Sequence, residues 1–339
     1  MKVLHSSGLI SLPRTSPTGK LLWVDSVYGN NSLALRESLG VPFKTLTAAK
    51  TAAQSGDTIM VLPGTYDENN LLKNGVNWHF YIGAVITYTG GNPAGIFDTG
   101  SNGTNGAVSC AIRGDGVFQN PGAYVVNSAA NGSNLEIHGR ALVGGSEACV
   151  RVAATASLRL KMSGHIIGGG EAILIAGGST ENFIEADSIH TSNGVAVQVS
   201  SGGVHVKART ISSASSPAIH FDGEDSNQSV FEAYEIRAES DMAIKYVGTG
   251  PLLTVIGARI ISQFADATGY AIGIDSEATD VIKLSNCLLL VPLTSGPTGC
   301  IGSTEGVRVH NLNGVSANKD KDSNVTVLGP ALTVSADFT

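Results

Sequence analysis

Aromatic side chains, charged side chains and cysteines are all scarce in this sequence of 339 residues. Phe, Trp and Tyr account for 6% of the residues, and Asp, Glu, Lys and Arg for 14%. The net charge of −7 argues against a nucleic-acid-binding surface. No apolar run approaches the roughly 20 residues of a membrane-spanning helix, so no membrane insertion is expected. The opening MKVLHSSGLISLP has no sustained apolar core and no obvious cleavage site, so no signal peptide is expected.

The four cysteines include no C-x-x-C pair, which argues against a structural zinc site. Glycine, in contrast, is abundant at 42 residues, while proline is modest at 11. This composition is too apolar for a disordered chain and is typical of many short strands joined by tight turns. The length permits two domains, but a long β-structure of this size can form one unit.

A short phrase recurs from about residue 94 onward: a small residue, an apolar residue, any residue and a second apolar residue. Nine copies, the first and last of them weaker, follow one another at intervals of 22 to 29 residues. They begin at Gly95, Ala123, Cys149, Ala172, Ala196, Ala218, Ala243, Ala271 and Cys300. A unit of this length cannot bury its own apolar face, whereas stacked units bury a continuous core.

A second phrase follows within the units: an apolar strand, a small residue, two variable residues, then Ile or Leu. Its small residues are Ser163, Ala186, Ala208, Ala233, Gly257 and Ser285, and its apolar ends are Ile166, Ile189, Ile211, Ile236, Ile260 and Leu288. Each unit therefore holds two or three short strands and has no room for a helix. We predict an all-β fold, a single-stranded right-handed parallel β-helix of about nine to ten coils.

Other repeat folds fit less well, because no L-x-x-L-x-L phrase recurs and no strict six-residue period is present.

The predicted stacking also bears on the cysteines. Cys149 and Cys300 share one column but are six steps apart. At roughly 4.8 Å per step they are separated by about 29 Å, whereas a disulfide needs Cα atoms within about 7 Å. Cys110 and Cys287 also lie several coils apart, so we predict four free thiols.

The segment before the first repeat predicts a cap for the open end of the stack, which would otherwise expose core side chains and unpaired strand edges. In TLTAAKTAAQSGD, Thr45 is the predicted N-cap and Gly56 the predicted C-terminal stop of a helix near residues 45–54. One face of this helix carries three apolar residues, Leu46, Ala49 and Ala53. The following TIMVLPG is the predicted first core strand.

The stretch PFKTLTAAKTAAQSGDTIMVLPGTYDE, residues 42–68, resembles the N-terminal box of the pectin-lyase-like right-handed β-helix superfamily. WVDSVYGNN just before it resembles the lead-in strand and turn of that box. The later coils resemble the superfamily in rhythm only. Because the series of repeats is uninterrupted, we predict a parallel β-helix over 58–310, with a lead-in and capping helix over 1–57 and a closing segment over 311–339. Since the superfamily includes pectate lyases, polygalacturonases, bacteriophage tailspikes and surface proteins, it leaves the function open.

Catalytic residue sets of this superfamily are incomplete here. Polygalacturonase-type hydrolases carry N-T-D, paired Asp, G-H-G and R-I-K, whereas this sequence has Gly164–His165 without the second Gly, Arg259–Ile260 without Lys, and no adjacent Asp pair. Outward residues on neighbouring coils lie roughly 4.8 Å apart, so carboxylate pairs can form without a linear motif. The weak catalytic candidates are Asp222, Glu224, Asp225 and Glu235.

The first three of these candidates lie in the acidic stretch HFDGEDSNQS. Closely spaced carboxylates suit a calcium site of the kind that lyases use. Asp, Gly, Ser and Asn are also the residues of an ordinary solvated turn, which is the favoured interpretation. Histidines recur in nearly successive units but do not share one register position, so no metal site and no cofactor are predicted.

A second cluster, FEAYEIRAESD, supplies the candidate ligand-binding residues. Aligned repeats place Glu235 beside Arg259 and place Asp187, Arg209 and Tyr234 in a neighbouring column. Such columns are first of all surface ion pairs, each contributing little. As a glycan-binding strip they combine carboxylates, arginine and an aromatic ring.

Further aromatic residues occur in the segment NWHFYIG. Trp78 and Phe80 are predicted to share one face of this strand. His79 and Tyr81 are predicted to share the other face, which suits a sugar-stacking platform.

The favoured function is a non-enzymatic structural or receptor- and glycan-binding β-helix, such as a tail or head appendage of a phage virion. The incomplete catalytic sets and the expected absence of a signal peptide support it. The expected location is a virion or extracellular surface, and the expected partners are a cell-surface polysaccharide or other virion proteins. Resemblance to tailspikes implies a homotrimer.

The alternative is a polysaccharide lyase or glycoside hydrolase with its site on the outer face of the coils. Carboxylates of adjacent coils that converge in a groove, with Arg or Lys beside them, distinguish the enzyme from the binding protein.

Overall fold

The structure, a computed structural model, describes residues 19–36, 40–69, 71–89, 95–99, 107–153, 155–177, 182–222, 228–247, 253–264, 270–275, 280–291, 299–303, 307–313, 315–321 and 325–334. The chain is a parallel β-solenoid of about eight turns, with 54% strand and 3% helix. The all-β parallel β-helix predicted from the repeats is confirmed.

Most strands are short, as expected for coils of this length. In chain order they are β1 (Leu21–Val24), β2 (Thr58–Val61), β3 (Gly64–Tyr66), β4 (Asn77–Phe80), β5 (Ala84–Thr87), β6 (Phe97–Asp98), β7 (Ser109–Gly114), β8 (Val117–Asn120), β9 (Val126–Ser128), β10 (Asn134–Gly139), β11 (Ala141–Gly144), β12 (Val150–Ala153), β13 (Ser157–Met162), β14 (His165–Gly168), β15 (Ile173–Ala176), β16 (Asn182–Thr191), β17 (Val197–Ser201), β18 (Val204–Ser213), β19 (Ile219–Phe221), β20 (Ser229–Ala238), β21 (Ile244–Val247), β22 (Leu253–Ile256), β23 (Arg259–Ser262), β24 (Ile272–Asp275), β25 (Asp280–Ser285), β26 (Leu288–Leu290), β27 (Ile301–Ser303), β28 (Val307–Asn313), β29 (Ser316–Ala317), β30 (Val325–Leu328) and β31 (Thr333–Val334).

The strands form three faces, which the chain visits in turn. Face 1 consists of β1, β2, β4, β7, β10, β13, β22, β25, β28 and β30, and face 2 of β3, β5, β8, β11, β14, β23, β26, β29 and β31. The long strands β16, β18 and β20 run from face 1 around a bend into face 2, which joins both faces into one sheet of 22 strands. Face 3 is a separate sheet of nine strands, β6, β9, β12, β15, β17, β19, β21, β24 and β27.

Side-chain alternation explains why these segments form strands. On face 1 the inward residues Ile184, Val206, Phe231, Val255 and Leu284 pair with one another from coil to coil. Each has at most 1% of its surface exposed. Complete burial of such a side chain contributes roughly 1.5–3 kcal/mol. The core is therefore a set of apolar ladders that run along the solenoid.

The recurring first phrase corresponds to face 3, with one correction of register that affects its first two copies, at Gly95 and Ala123. Val126 pairs with Val150, so the residue equivalent to Cys149 is Val125 and not the predicted Ala123. Ala123, Val125 and Val126 are all buried. Because the candidate positions in AYVV are all small or apolar, the sequence did not show whether Ala123 or Val125 is equivalent to Cys149.

A second correction concerns the last copy of the other phrase. Ile260 pairs with Leu289, whereas the sequence alignment matched it with Leu288. Three consecutive leucines end this phrase, so apolarity does not reveal which of them points inward. In the structure Leu289 is fully buried and its two neighbours are half-buried.

The predicted cap is a helix, α1 (Leu46–Ala52), shorter than the expected 45–54. Thr45 is its N-cap, as predicted, and its side chain accepts a hydrogen bond from the Ala48 N–H at 3.2 Å. Gly56 is not its C-terminal stop, because the helix ends at Ala52 and Gly56 lies in the next turn with φ of 93°. Leu46, Ala49 and Ala53 are buried against the core.

Two side chains from later in the chain complete the ends of α1. The Glu68 carboxylate accepts hydrogen bonds from the backbone N–H groups of Leu46 and Thr47, at 2.7 and 2.6 Å. At the other end the Lys73 ammonium donates to the carbonyls of Lys50 and Ala53, at 2.9 and 2.6 Å. These groups satisfy backbone atoms that a helix leaves unpaired at its termini.

The parallel pairing includes residues on both sides of the predicted 58–310. At the N-terminal side Leu21 pairs with Thr58, so the lead-in strand β1 belongs to face 1. At the C-terminal side Ser316 pairs with Thr333 on face 2. The parallel ladder therefore continues into both flanking segments.

Candidate functional site

The candidate site lies at the bend between faces 1 and 2. In β16 the alternation of buried and outward residues breaks at Asp187 and Ser188, which both face outward. Ala186 pairs with Ala208, and Ala208 with Ala233, so small residues line the bend in three successive coils. Because an alanine projects little, the outward side chains on either side of each one stand above it.

These residues enclose an open groove with a volume of about 650 Å³, which we call the corner groove. One wall is a ladder on face 1 in which consecutive members pair directly: Lys161, Glu185, Lys207, Glu232 and Ile256. The other wall carries Asp187, Arg209 and Tyr234, and the three alanines form the floor. The corner groove therefore runs along the solenoid across five coils.

Charges of opposite sign alternate along the first wall. Lys161 Nζ lies 3.0 Å from Glu185 Oε2. Farther along, the Nε2 atom of His205 lies 3.0 Å from Glu232 Oε1. On the second wall, Arg209 donates from Nε to Asp187 Oδ1 at 3.0 Å and from Nη2 to Asp187 Oδ2 at 3.2 Å. Such a two-point contact fixes the plane of the guanidinium group.

Tyr234 is the aromatic residue of the corner groove, with 62% of its surface exposed. It lies beside Ala233 in β20, one coil after Arg209. A tyrosine that is exposed to this extent contributes little to the stability of the fold. An exposed ring face beside hydrogen-bonding groups is instead typical of a binding surface.

The structure brings together three of the five predicted ligand-binding residues. Asp187, Arg209 and Tyr234 all line the corner groove. Glu235 and Arg259 pair with each other on face 2, as the aligned repeats predict, with Arg259 Nη1 3.9 Å from Glu235 Oε2. These two are not among the residues that line the groove.

The weak catalytic candidates do not form one site. Asp222 follows β19 of face 3 and accepts a hydrogen bond from Gln198 Nε2 at 3.3 Å. Glu235 lies on face 2, so these two carboxylates belong to different faces. Glu224 and Asp225 lie outside the described residues.

Sequence reasoning did not single out Lys161, Glu185 and Lys207. Glu185 and Lys207 stand two positions before a residue of the second wall, and all three lie on strands that otherwise look like ordinary amphipathic face 1 strands. The available signal was the alternation of charge between successive repeats. It becomes visible only when the register is known, because pairing decides which charges are neighbours.

The histidines are distributed over all three faces. On face 2, Nδ1 of His165 lies 2.7 Å from Ser188 Oγ, and Nδ1 of His190 lies 3.0 Å from Ser212 Oγ. His220 lies on face 3. In the part of the chain that the structure describes, no group of three or more His, Cys, Asp or Glu residues is arranged to hold a metal ion.

The N-terminal aromatic residues separate into two sets, as the alternation predicts. Trp78 and Phe80 are buried and stacked, with ring centroids 5.9 Å apart. Tyr81 stacks on Trp23 at 6.2 Å and meets the edge of His79 at 5.0 Å. This second set is half-buried on the outside of face 1.

Among the described helical residues there is no segment long and apolar enough to cross a membrane. No protein-family model, curated protein or solved structure matches this chain. The geometry itself therefore defines the class of protein, a parallel β-solenoid with a groove along one corner.

Proposed function

We propose that the protein is a non-enzymatic glycan-binding β-solenoid and that a glycan chain binds lengthwise in the corner groove. The observation that carries this proposal is the exposed Tyr234 ring beside the Arg209–Asp187 pair, on one wall of an open groove. Sugars bind to proteins through two kinds of contact. Their ring faces pack on aromatic side chains, and their hydroxyls exchange hydrogen bonds with carboxylate and guanidinium groups.

The shape of the corner groove suits an elongated ligand. Its first wall spans five coils, from Lys161 to Ile256. Neighbouring parallel strands are roughly 4.8 Å apart, so four steps correspond to about 19 Å. The groove is also open, whereas a small-molecule site is usually an enclosed, mostly apolar pocket.

We further propose that the solenoid belongs to the pectin-lyase-like type and acts on a virion or another extracellular surface, where it binds a cell-surface polysaccharide. The lead-in strand β1 and the capping helix α1 support this type, since they stand where the resemblances of WVDSVYGNN and of residues 42–68 place them. Tailspikes of this type imply a homotrimer. Light scattering coupled to size-exclusion chromatography tests the trimer, and a monomeric mass contradicts it.

A glycan microarray probed with the purified, labelled protein tests glycan binding. For each bound glycan, the affinity is then compared between the wild type and Tyr234→Ala. We expect about a tenfold loss, because stacking and the associated burial contribute roughly 1–2 kcal/mol. Tyr28→Ala is the matched control, since Tyr28 is 82% exposed but lies in the lead-in turn outside the groove.

The result that contradicts the proposal is equal affinity of Tyr234→Ala and the wild type. Binding that is reduced equally by both tyrosine substitutions contradicts it as well, because the corner groove would then have no special role. Melting temperatures of both variants establish that the fold is intact.

The second candidate function is a glycoside hydrolase or lyase that uses the same groove. Three carboxylates line it, Glu185, Asp187 and Glu232, with Lys207 and Arg209 beside them. This is the arrangement expected to distinguish an enzyme from a binding protein. In the structure each of these carboxylates already contacts a basic side chain, Glu185 with Lys161, Glu232 with His205 and Asp187 with Arg209.

Prolonged incubation with each bound glycan tests the enzyme candidate. Reducing ends and unsaturated products are measured for the wild type, Glu185→Gln and Glu232→Gln. Cleavage by the wild type that is lost in either variant establishes the enzyme and overturns the non-enzymatic proposal. Unchanged glycan supports binding without cleavage.

A further inference from the structure

The middle of the corner groove contains a cation that forms no direct ion pair with either neighbouring carboxylate. Lys207 is exposed and lines the groove, and it forms no ion pair within the described part of the chain. Its two neighbours on the wall are Glu185 and Glu232. These carboxylates are paired with Lys161 and His205 instead.

A second cation stands on the opposite wall of the same coil. Lys207 and Arg209 are the two neighbours of Ala208 in β18, and both are exposed. Asp187 holds Arg209 through Nε and Nη2, and no described hydrogen bond uses the Nη1 atom. An ammonium group and a fixed guanidinium group therefore stand on both sides of the floor at one coil.

We propose that this coil is an anion subsite and that the ligand is a sparsely charged acidic glycan, with one anionic substituent bound between Lys207 and Arg209. The inference rests on the proposed glycan-binding function and adds the chemical class of the ligand. A carboxylate, sulfate or phosphate substituent accepts hydrogen bonds from both groups. Charge-assisted hydrogen bonds of this kind are roughly twice as strong as neutral ones.

The neighbouring coils select against a polyanion. One coil earlier, Glu185 and Asp187 flank Ala186, and one coil later Glu232 lies on the first wall. Each step is roughly 4.8 Å, a distance at which like charges repel noticeably near a protein surface. A polymer with an anionic group on every sugar would bring its other charges close to these carboxylates. Repulsion of the wrong ligand is a common source of specificity.

Tyr234 completes the arrangement one coil after the anion subsite. Its exposed ring offers a surface for an uncharged sugar next to the charged one. The predicted ligand is therefore a heteropolysaccharide in which an acidic sugar is followed by neutral sugars. The whole-chain net charge of −7 agrees with this choice, since it disfavours binding of a polyanion at long range.

Calorimetric titration with three probes tests the inference. The probes are a heteropolysaccharide with one uronic acid per repeating unit, the same polymer after carboxyl reduction, and polygalacturonate. We expect the first probe to bind at least about tenfold more tightly than the other two. Lys207→Gln is expected to remove this preference, because it lowers the affinity for the acidic probe.

The matched control is Arg113→Gln, which changes an exposed cation on face 1 outside the corner groove and should keep the preference. Equal affinity for the acidic and reduced probes, tightest binding of polygalacturonate, or an unchanged preference in Lys207→Gln overturns the anion subsite. If Tyr234→Ala still weakens binding in those cases, glycan binding itself stands. Failure of every probe, together with a microarray without binding, overturns the proposed function and this inference with it.

Discussion

The guanidinium group of Arg36 binds the fully buried carboxylate of Asp57 through two short contacts, Nε to Oδ2 at 2.6 Å and Nη2 to Oδ1 at 2.7 Å. The same carboxylate accepts hydrogen bonds from the backbone N–H groups of Lys20 and Gln54, at 2.8 and 2.7 Å. Asp57 therefore connects the lead-in segment, the residues just after the capping helix and the first core strand. Its position makes it the principal polar contact of the described N-terminal end.

Asp57→Asn is expected to destabilise the protein by about 2–4 kcal/mol, because the substitution removes a fully buried negative charge that accepts four hydrogen bonds, two of them from Arg36. Urea unfolding of both proteins measures the difference. Glu136→Gln is the control, since it removes the partner of Arg113 in an exposed ion pair and should change stability by less than about 1 kcal/mol. Equal effects of the two substitutions would show that the Asp57 network contributes nothing beyond a surface pair.

Asp57 should also make stability depend on pH. Burial by itself raises the pKa of this carboxyl group, but the hydrogen bonds from Arg36 and from the Gln54 and Lys20 N–H groups outweigh burial and lower the pKa below its ordinary value of 3.8. A lowered native pKa means that the stabilisation is complete above the unfolded-state value and is lost as the pH falls below it. The difference in unfolding free energy between wild type and Asp57→Asn should therefore shrink from pH 7 to pH 3. A constant difference contradicts this assignment.

Ala196→Leu should destabilise the solenoid more than Gln198→Leu. Ala196 is fully buried between Ala172 and Ala218 in the face 3 column, where added methylene groups cost roughly 1–3 kcal/mol. Gln198 points outward, and its substitution loses a hydrogen bond to Asp222 worth about 1 kcal/mol or less. Thermal unfolding of the two variants decides the order, and equal melting temperatures would mean that the assigned register is wrong.

All four cysteines should titrate as free thiols after denaturation. In the structure Cys110, Cys149, Cys287 and Cys300 are free and buried. Burial raises the pKa of Cys110 to about 12 and that of Cys300 to about 11, so the native protein should react slowly with thiol reagents at neutral pH. Two rather than four reactive thiols under denaturing, non-reducing conditions would indicate a disulfide.

The protein should not cleave polygalacturonate, with or without calcium. Residues 42–68 resemble a superfamily whose hydrolases and lyases use defined residue sets on this polymer, and those sets are incomplete here. A broad basic groove is also not expected, since the sequence has 21 basic and 28 acidic residues. Ultraviolet absorbance of unsaturated products and a reducing-end assay are the measurements. Turnover that disappears in Asp222→Asn or Glu235→Gln would support the enzyme instead.

Much of the fold was predictable because every coil has to bury its apolar side chains in the same way, against the coils before and after it. The small residue at Ala172, Ala196 and Ala218 recurs where the interior is narrow, and outward and inward side chains alternate around it. The prediction failed by one or two residues where several apolar residues adjoin, as at Val125 and Leu289. In such runs composition does not tell inward from outward positions.

The candidate site was predictable only in part. Asp187, Arg209 and Tyr234 were identified because aligned repeats placed them in one column. Contacts between distant segments gave no comparable signal, as with Glu68 and Lys73 at the ends of the capping helix. These side chains bind backbone groups that lie 20 or more residues away in the sequence, so no local sequence pattern predicts the contacts.

The sequence by itself determined that this chain stacks as a parallel β-solenoid, since a unit of 22 to 29 residues with alternating apolar positions can bury its core in few other ways. Only the tertiary structure decided where the corner groove lies. The register set at Lys161, Glu185, Lys207 and Glu232 makes distant residues neighbours. The bend at the alanines then turns two outward columns into the walls of one groove, because the small side chains leave the space between them open.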